Sequence, residues 1–440
     1  AHNRGVMWWR AAQNLQEALA ADLDPLAVVI DRAHAKGRRL LCSLRMNDPT
    51  TALDENSYML SRLKRTNPDI LIGEEDPDNP HAATCADFAH PEVRQERLAI
   101  IEEVCGHYGA DGLELDPYVR VFFKKSAVRE HTPLLTEFVR EVRTLLDRIG
   151  QVRGEHLWLS ARVHPLESVN LNSGMDLRAW LGEGLIDFAV ATPPSMLFDA
   201  EMPIGWLADA ARASGAGFYV QLGRAPYDDR YHHPTIEMYR AAAANYAAMG
   251  ADGLYVSDLA WPPQAAEYQI LREMADADIS AYKDKHYLPA PREPEITTGL
   301  RYLPVELTTG CQIEIPVMVG DRLQGAPLRG ATLGLRIVQC CPEDRWHFSF
   351  NDTPLVANRY EHFYGGIVSY TAARGGLPQR IDTHYWFYFD IPPEILREGI
   401  NKVEVVLEQC FEPLVAERIL HQVEIRINYI VPHQPSGGQL

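Results

Sequence analysis

Gly112-Leu113-Glu114-Leu115-Asp116 follows directly on Ala110-Asp111 and on a helix-like segment that ends near Gly109. Apolar and acidic residues alternate here, and alternation with period two marks a strand. Leu113 and Leu115 then share one face, and Glu114 and Asp116 the other. Two carboxylates two positions apart on a strand face lie about 6.6 Å apart along the backbone. Their repulsion is expected to raise the pKa of the deeper one, Glu114. A proton held there would poise Asp116, an acid–base arrangement. The run Ala110-Asp111-Gly112-Leu113 returns as Ala251-Asp252-Gly253-Leu254. In both, a helix ends at a glycine and a strand starts at once, so one structural unit is used twice.

The same cycle extends along the first 280 residues. Asp24-Pro25 reads as the N-cap and first turn of a helix that Gly37 ends. Periodicity places further helices over 91–108, 133–149, 177–181, 206–213 and 235–249. Strands alternate with them over 39–45, 112–116, 157–163, 186–191, 217–222 and 253–257. A further strand is offered at 70–73, and a degenerate one at 6–9. Strands alternating with helices imply parallel βαβ units. No G-x-G-x-x-G follows a strand, which speaks against a doubly wound dinucleotide fold. Polar residues gather at the C-terminal ends of the strands, the pattern of a barrel. The expected fold is therefore α/β: a (β/α)8-type TIM barrel over 1–280, short of strands at its N-terminal side.

Residues 281–299 contain Pro289, Pro291 and Pro294 and have linker composition. Beyond them the pattern changes to short alternating strands over 312–319, 332–338, 346–350, 385–389, 402–407 and 424–429, with a helix over 393–397. This predicts an antiparallel β-sandwich accessory domain over 300–432. A disordered tail is expected over 433–440.

Composition bounds the function. The 440 residues are 46% hydrophobic and 23% charged, which suits a globular chain of two or three domains. No run of 18 apolar residues exists, so no membrane partner is expected. The net charge of -18 repels phosphate backbones and speaks against nucleic acid. The seven cysteines are odd in number and contain no C-x-x-C, against a disulfide framework or structural zinc. Cys42 and Cys105 sit in apolar runs, as core residues do. The chain starts at Ala1 with no visible signal peptide, and the compartment stays open. His232-His233 is a poor chelate because adjacent side chains diverge, and no H-x-H, H-E-x-x-H or G-x-S-x-G occurs. Neither metal nor cofactor is implied.

Parity along the strands yields the remaining candidates. Ser43, Arg45 and Asn47 share one face, as do Ser160, Arg162 and His164. Arg45 or Arg162 is the natural ion-pair partner of Glu114, a supporting role. Asn47 and His164 fall at strand ends, where they could bind sugar hydroxyls. Gln221 ends one strand, and Asp258 follows another with Trp261 close by. An aromatic ring beside a rim carboxylate suits a sugar, the ring taking its face and the acid its hydroxyls.

The run Asp87-Phe88-Ala89-His90-Pro91-Glu92-Val93-Arg94, followed by a helix and then Asp111-Gly112-Leu113-Glu114-Leu115-Asp116-Pro117-Tyr118, resembles the signature of the family-10-like glycosyl hydrolase barrel proteins. There a His-Pro-Glu-Val-Arg helix leads into a strand reading Asp-Gly-x-x-x-Asp-x-Tyr. The stretch from Asp24-Pro25-Leu26 to Ala33-His34-Ala35-Lys36-Gly37 resembles the helix before that barrel's third strand, and this would account for the missing strands. The resemblance covers about residues 20–260. Asp111, Gly112, Glu114 and Asp116 also match the spacing of the chitinase-type pattern Asp-Gly-x-Asp-x-Asp-x-Glu. Tyr118 stands where that pattern has its acid, and a phenol with a pKa of about 10 is a poor donor to a leaving sugar.

The resemblance implies a glycoside hydrolase acting on a poly- or oligosaccharide. Hydrolysis needs two carboxylates flanking the bond. Asp116 is the first, Asp258 the expected second, and Glu114 lies beneath Asp116. Arg45, Asn47, Tyr118, Arg162, His164, Gln221 and Trp261 are the expected substrate-binding residues. Two alternatives remain: carbohydrate binding without catalysis, and a lyase using His164 as base and Tyr118 as acid.

Overall fold

A computed structural model of the chain describes residues 2–49, 61–76, 79–117, 119–193, 197–257, 259, 262–274, 276–290, 303–368 and 379–430. Its helices are α1 His2–Ala20, α2 Pro25–Ala35, α3 Arg62–Thr66, α4 Pro91–Glu102, α5 Val128–Arg153, α6 Glu167–Leu171, α7 Leu177–Gly182, α8 Gly205–Ser214, α9 Ile236–Ala248, α10 Ala265–Met274 and α11 Ala277–Ser280. The first six strands are β1 Leu41–Arg45, β2 Gly112–Asp116, β3 Trp158–Val163, β4 Phe188–Ala191, β5 Gly217–Leu222 and β6 Gly253–Val256. They lie in one sheet in the order β1-β2-β3-β4-β5-β6. The pairs β1–β2, β2–β3 and β5–β6 are parallel.

This is the α/β architecture expected, but the barrel is not closed. Among the described residues β1 and β6 end the sheet, with no further strand between them. Residues 70–73 supply none: Pro68–Ile70 is a 3-10 turn, and Leu71 makes only an isolated antiparallel bridge to Ala86. Residues 6–9 lie inside α1, where the alanine-, leucine- and glutamine-rich sequence that follows favours helix. The end position of β1 shows in its exposure, for Ser43 and Arg45 are open to solvent while Gly112 to Leu115 of β2 are buried.

Contacts divide the chain into two compact units. The first comprises Ala1–Val163, Glu167–Ala189 and Ala210–Gly217. Asp24 caps α2 as expected, its side chain accepting from the Leu26 and Ala27 N–H groups. The longest helix, α5, buries Leu135, Phe138, Val139, Val142, Leu145 and Leu146, a helical stripe of spacing three and four. Each such side chain stabilises the fold by roughly 2 kcal/mol. Phe138 meets the edge of Phe88, which also meets Phe122, and these rings form the core beneath the loop that follows β2.

The repeated aspartate has a physical explanation. Asp111 donates its N–H to Leu40 O at 2.9 Å and accepts the Leu40 N–H on Oδ2 at 2.6 Å. Asp187 treats Leu159 in the same way, at 2.7 Å in both directions. In the second unit Asp252 does so with Phe218, at 2.8 Å in both directions. Each aspartate thus ties the start of its strand to the start of the preceding one, so the unit recurs three times. Gly112 follows because a Cβ there would lie 2.2 Å from Trp158 O on β3.

The second unit comprises His164–Leu166, Val190–Asp209 and Phe218–Leu440. Its remaining strands are β7 Lys285–Tyr287, β8 Val305–Glu306, β9 Gln312–Val319, β10 Leu328–Val338, β11 Arg345–Phe350, β12 Thr353–Leu355, β13 Arg359–Val368, β14 Gln379–Ile391, β15 Gly399–Gln409 and β16 Ile419–Tyr429. One sheet runs β13-β14-β10-β16-β7, with β8 also on β16, and another runs β12-β11-β15-β9. Their pairings are antiparallel. Alternate residues such as Ile315, Val317, Val319, Val403, Val405 and Leu407 enter a core shared with Leu333, Leu335, Val423 and Ile425 of the other sheet. Phe348 meets Phe389 across it at 4.9 Å. Two expectations are corrected. In place of a helix over 393–397, residues 393–395 form a turn held by the Ile395 N–H on Pro392 O. Within the expected linker, Lys285–Tyr287 is a strand on β16. Residues 291–299 of the expected linker and the whole of the expected tail over 433–440 lie outside the described residues.

Candidate active site

The parallel register sets the first unit's site. Ser43 stands opposite Glu114, and Arg45 opposite Asp116, across β1 and β2. Glu114 in turn stands opposite Ser160 across β2 and β3. Parity then brings Arg162 beside Asp116, where Nη1 donates to Asp116 Oδ2 at 3.1 Å. Glu114 is 4% exposed and takes a hydrogen bond from Ser43 Oγ at 2.8 Å. Its Oε1 lies 4.0 Å from Arg162 Nε. Arg162 therefore serves both carboxylates, its head towards Asp116. The deeper carboxylate is braced from both neighbouring strands, and the outer one stands at the end of β2 and is only partly buried.

Sequence reasoning missed Arg120. Its N–H bonds to Pro117 O at 2.9 Å and its backbone is left-handed, with φ 53°. Burial works against the Arg120 guanidinium charge, Asp116 supports it and Arg162 opposes it, leaving its pKa at about 10. A proline directly after the rim aspartate, with an arginine three positions on, is the signal that was available.

Asn47 is corrected. It is wholly buried, its amide donating to Ala86 O and Val121 O at 2.8 Å each. Its Oδ1 accepts from the Ala86 and Asp48 N–H groups at 2.9 and 3.1 Å. An amide with two donors and two occupied lone pairs has nothing left for a sugar hydroxyl. Lys64 reinforces the same loops, Nζ donating to Asp48 O and Thr84 O.

In the second unit, His164 is 2% exposed and its Nδ1 accepts from the Leu166 N–H at 3.0 Å, a turn contact. Gln221, also buried, takes a bond from Thr192 Oγ1 and gives one to Ser257 Oγ, both at 3.2 Å. The C-terminal ends of β4, β5 and β6 thus carry a bonded polar row. Asp258, Trp261 and Tyr118 lie outside the described residues. No group of three or more potential ligands for a metal ion occurs among the described residues, and no described helix is long and apolar enough to cross a membrane.

The fold and this rim define an α/β chain with a parallel six-stranded sheet, a carboxylate–guanidinium cluster at strand C-terminal ends, and an antiparallel β domain. No family model matches the chain, and no curated protein matches it. Among solved structures it is similar to the endo-beta-1,4-mannanase from Thermotoga petrophila, at 12% identity and a TM-score of 0.37, over 78% of this chain and 72% of that one. It is similar to the glycoside hydrolase domain of PelA from Pseudomonas aeruginosa, at 16% identity and a TM-score of 0.34, over 52% and 82%. It is also similar to a cycloisomaltooligosaccharide glucanotransferase from Paenibacillus sp., at 10% identity and a TM-score of 0.30, and spans 47% of that chain against 90% of its own. All three TM-scores lie below 0.5, so the functional reading rests on the residues of the first unit.

Proposed function

We propose that the chain is a glycoside hydrolase whose reacting carboxylate is Asp116. One observation carries this: an ion-paired carboxylate, partly open, at the C-terminal end of an inner parallel strand, with a second carboxylate buried beneath it and bonded to Ser43. Rim positions on such strands are where α/β folds bring residues to a ligand. The sequence resemblance to glycosyl hydrolase barrels falls on this same strand.

In this reading Arg162 fixes the orientation of the Asp116 carboxylate and stabilises its charge, which fits a nucleophile or a base. Glu114 does not face a substrate but sets the position of Arg162 from below. Asp258 is the proposed second carboxylate. Its separation from Asp116 would separate retention, at about 5 Å, from inversion, at about 6.5–9.5 Å.

Binding without cleavage is the second reading, favoured by the open order of the sheet, in which β1 is an end strand with exposed Ser43 and Arg45. The test is a screen of polysaccharides with the wild-type chain, scoring new reducing ends and unsaturated products separately. New reducing ends alone support hydrolysis. Unsaturated products mean a lyase. Retention of a glycan with no product of either kind sinks the hydrolase reading and leaves the binding one.

A further inference from the structure

Within the second unit, successive side chains fasten the segment that leaves β5 onto the antiparallel sheet. Residues 227–231 lie against β14, β10, β16 and β7 on the face opposite to Leu333, Leu335, Val423 and Ile425 of the core. Tyr227 OH meets His421 Nε2 at 3.1 Å, and their rings stack at 5.2 Å. Asp228 accepts from Gln422 Nε2 at 2.9 Å. Asp229 takes both Arg336 Nη groups, at 2.8 and 3.2 Å. The Arg230 guanidinium pairs with Asp228 and Glu424 and lies 3.9 Å over the Trp386 ring. Tyr231 OH accepts from Arg426 Nη2 at 2.8 Å. His286 Nε2 meets the same Glu424 at 2.9 Å. Asp229 and Arg230 are exposed residues, so the segment has solvent on its far side and can lift without unpacking the core.

His421 is the titratable member of this set that the closed arrangement cannot hold in its charged form. Arg336 stands opposite Gln422 and Ile337 opposite Leu420, so His421 is the extra residue of a β-bulge, which aims its ring at the segment. It is buried, and its Nδ1 has no partner. A second proton would therefore create a buried N–H without an acceptor. The groups facing the ring are Tyr227, Asp228 and Asp229 of the segment, Arg336 of β10 and His384 of β14. Asp228 is already engaged by Arg230 and Gln422, and Asp229 by Arg336, so neither is free to neutralise an imidazolium. Burial and the Arg336 charge accordingly hold His421 down at about 4, against the pull of the two aspartates. Water would accept the extra N–H once the segment lifted.

We infer that residues 227–231 form an acid-opened latch: protonation of His421 releases the segment from the sheet while the sheet itself stays folded. The latch fixes the chain that follows Gln221 and Leu222, at a strand C-terminal end where βα loops border ligands in folds of this kind. The inference does not depend on the carbohydrate reading, because it concerns the hold of one segment and not the chemistry at Asp116.

The experiment is amide hydrogen exchange on the full chain from pH 7 to pH 5, corrected for the intrinsic rate at each pH, in wild type, His421→Gln and Tyr227→Phe. In wild type the amides of 227–231 are expected to open at least about tenfold more often than those of β10 and β16 at every pH. Their open population should rise about tenfold between pH 6.5 and pH 5, since the open state binds the proton that the closed one excludes. His421→Gln keeps a polar group beside Tyr227 but cannot titrate, and its rise should be less than about threefold. Tyr227→Phe removes the hydroxyl and leaves His421 to titrate. Its segment should open about fivefold more often than wild type at pH 7 and still rise in acid. If His421→Gln does not fold, the Tyr227→Phe result decides. The inference falls if 227–231 opens only together with β10 and β16, if His421→Gln keeps the tenfold rise, or if Tyr227→Phe opens no more often than wild type at pH 7.

Discussion

Arg162 donates to Asp116 at 3.1 Å while its Nε lies 4.0 Å from Glu114, so one guanidinium on β3 orients two carboxylates of β2. Replacing it with methionine leaves both acids without their common partner. Arg162→Met is expected to lower stability by about 2 kcal/mol, the range for a charged hydrogen bond in a partly buried site. It should also reduce any turnover that Asp116 supports by more than it weakens binding. Urea unfolding beside steady-state kinetics separates the two effects.

Gly112 permits the close approach of β2 to β3. A Cβ at this position would lie 2.2 Å from Trp158 O, a backbone atom that cannot swing aside. Gly112→Ala should destabilise the first unit by about 3 kcal/mol or more. Gly182→Ala is the control, since a Cβ at that exposed residue on the end of α7 meets nothing within 4 Å, and it should be neutral to slightly stabilising. The comparison is a pair of thermal melts.

Asn47 ties two loops together and does not face a ligand. Asn47→Ala would orphan Ala86 O, Val121 O and the Ala86 N–H. The expected loss is about 3 kcal/mol, several times a single net hydrogen bond. Glycan affinity of the folded variant should match wild type. A melt combined with a binding titration checks both halves.

The second unit should weaken in mild acid. Burial, with Arg336 nearby, holds the His384 and His421 imidazoles down at about 4. Their unfolded value is about 6.5. Between these limits the unfolded chain binds more protons, so the stabilisation is complete above about 6.5 and declines as pH falls towards about 4. Each histidine contributes a slope of up to about 1.4 kcal/mol per pH unit. The buried Glu273 carboxylate, depressed to about 2 with hydrogen bonds from Arg240 and Lys283, acts in a lower window and is lost only as pH falls below about 4.3. Melting temperature against pH for wild type and His421→Gln tests this, the variant having the shallower slope between pH 6.5 and 4.

Much of the fold was legible because its signals are local. The alternation over Gly112–Asp116, the Asp24 cap and the period-two runs such as Gln312–Val319 each follow from a few consecutive residues, and each lies where expected. The recurring Ala-Asp-Gly-Leu betrayed a repeated device, although only the structure shows that its aspartate bonds the preceding strand. What the sequence hid is set by non-local partners. Parity placed Asn47 on the site's face, but its amide is saturated by a loop some forty residues away. Arg120 lies within electrostatic range of Asp116, a proximity that strand periodicity does not encode. Closure of the sheet likewise depends on pairing between distant strands, and a count of local patterns cannot supply it.

The central claim is that Asp116 is the reacting carboxylate, and the most direct measurement is turnover by Asp116→Asn on whichever glycan wild type cleaves. The substitution keeps the shape of the side chain and removes its charge. The expected result is a fall in kcat of about a thousandfold or more in a variant that is still folded at the assay temperature. Full activity in Asp116→Asn would contradict the account and move the chemistry away from this strand.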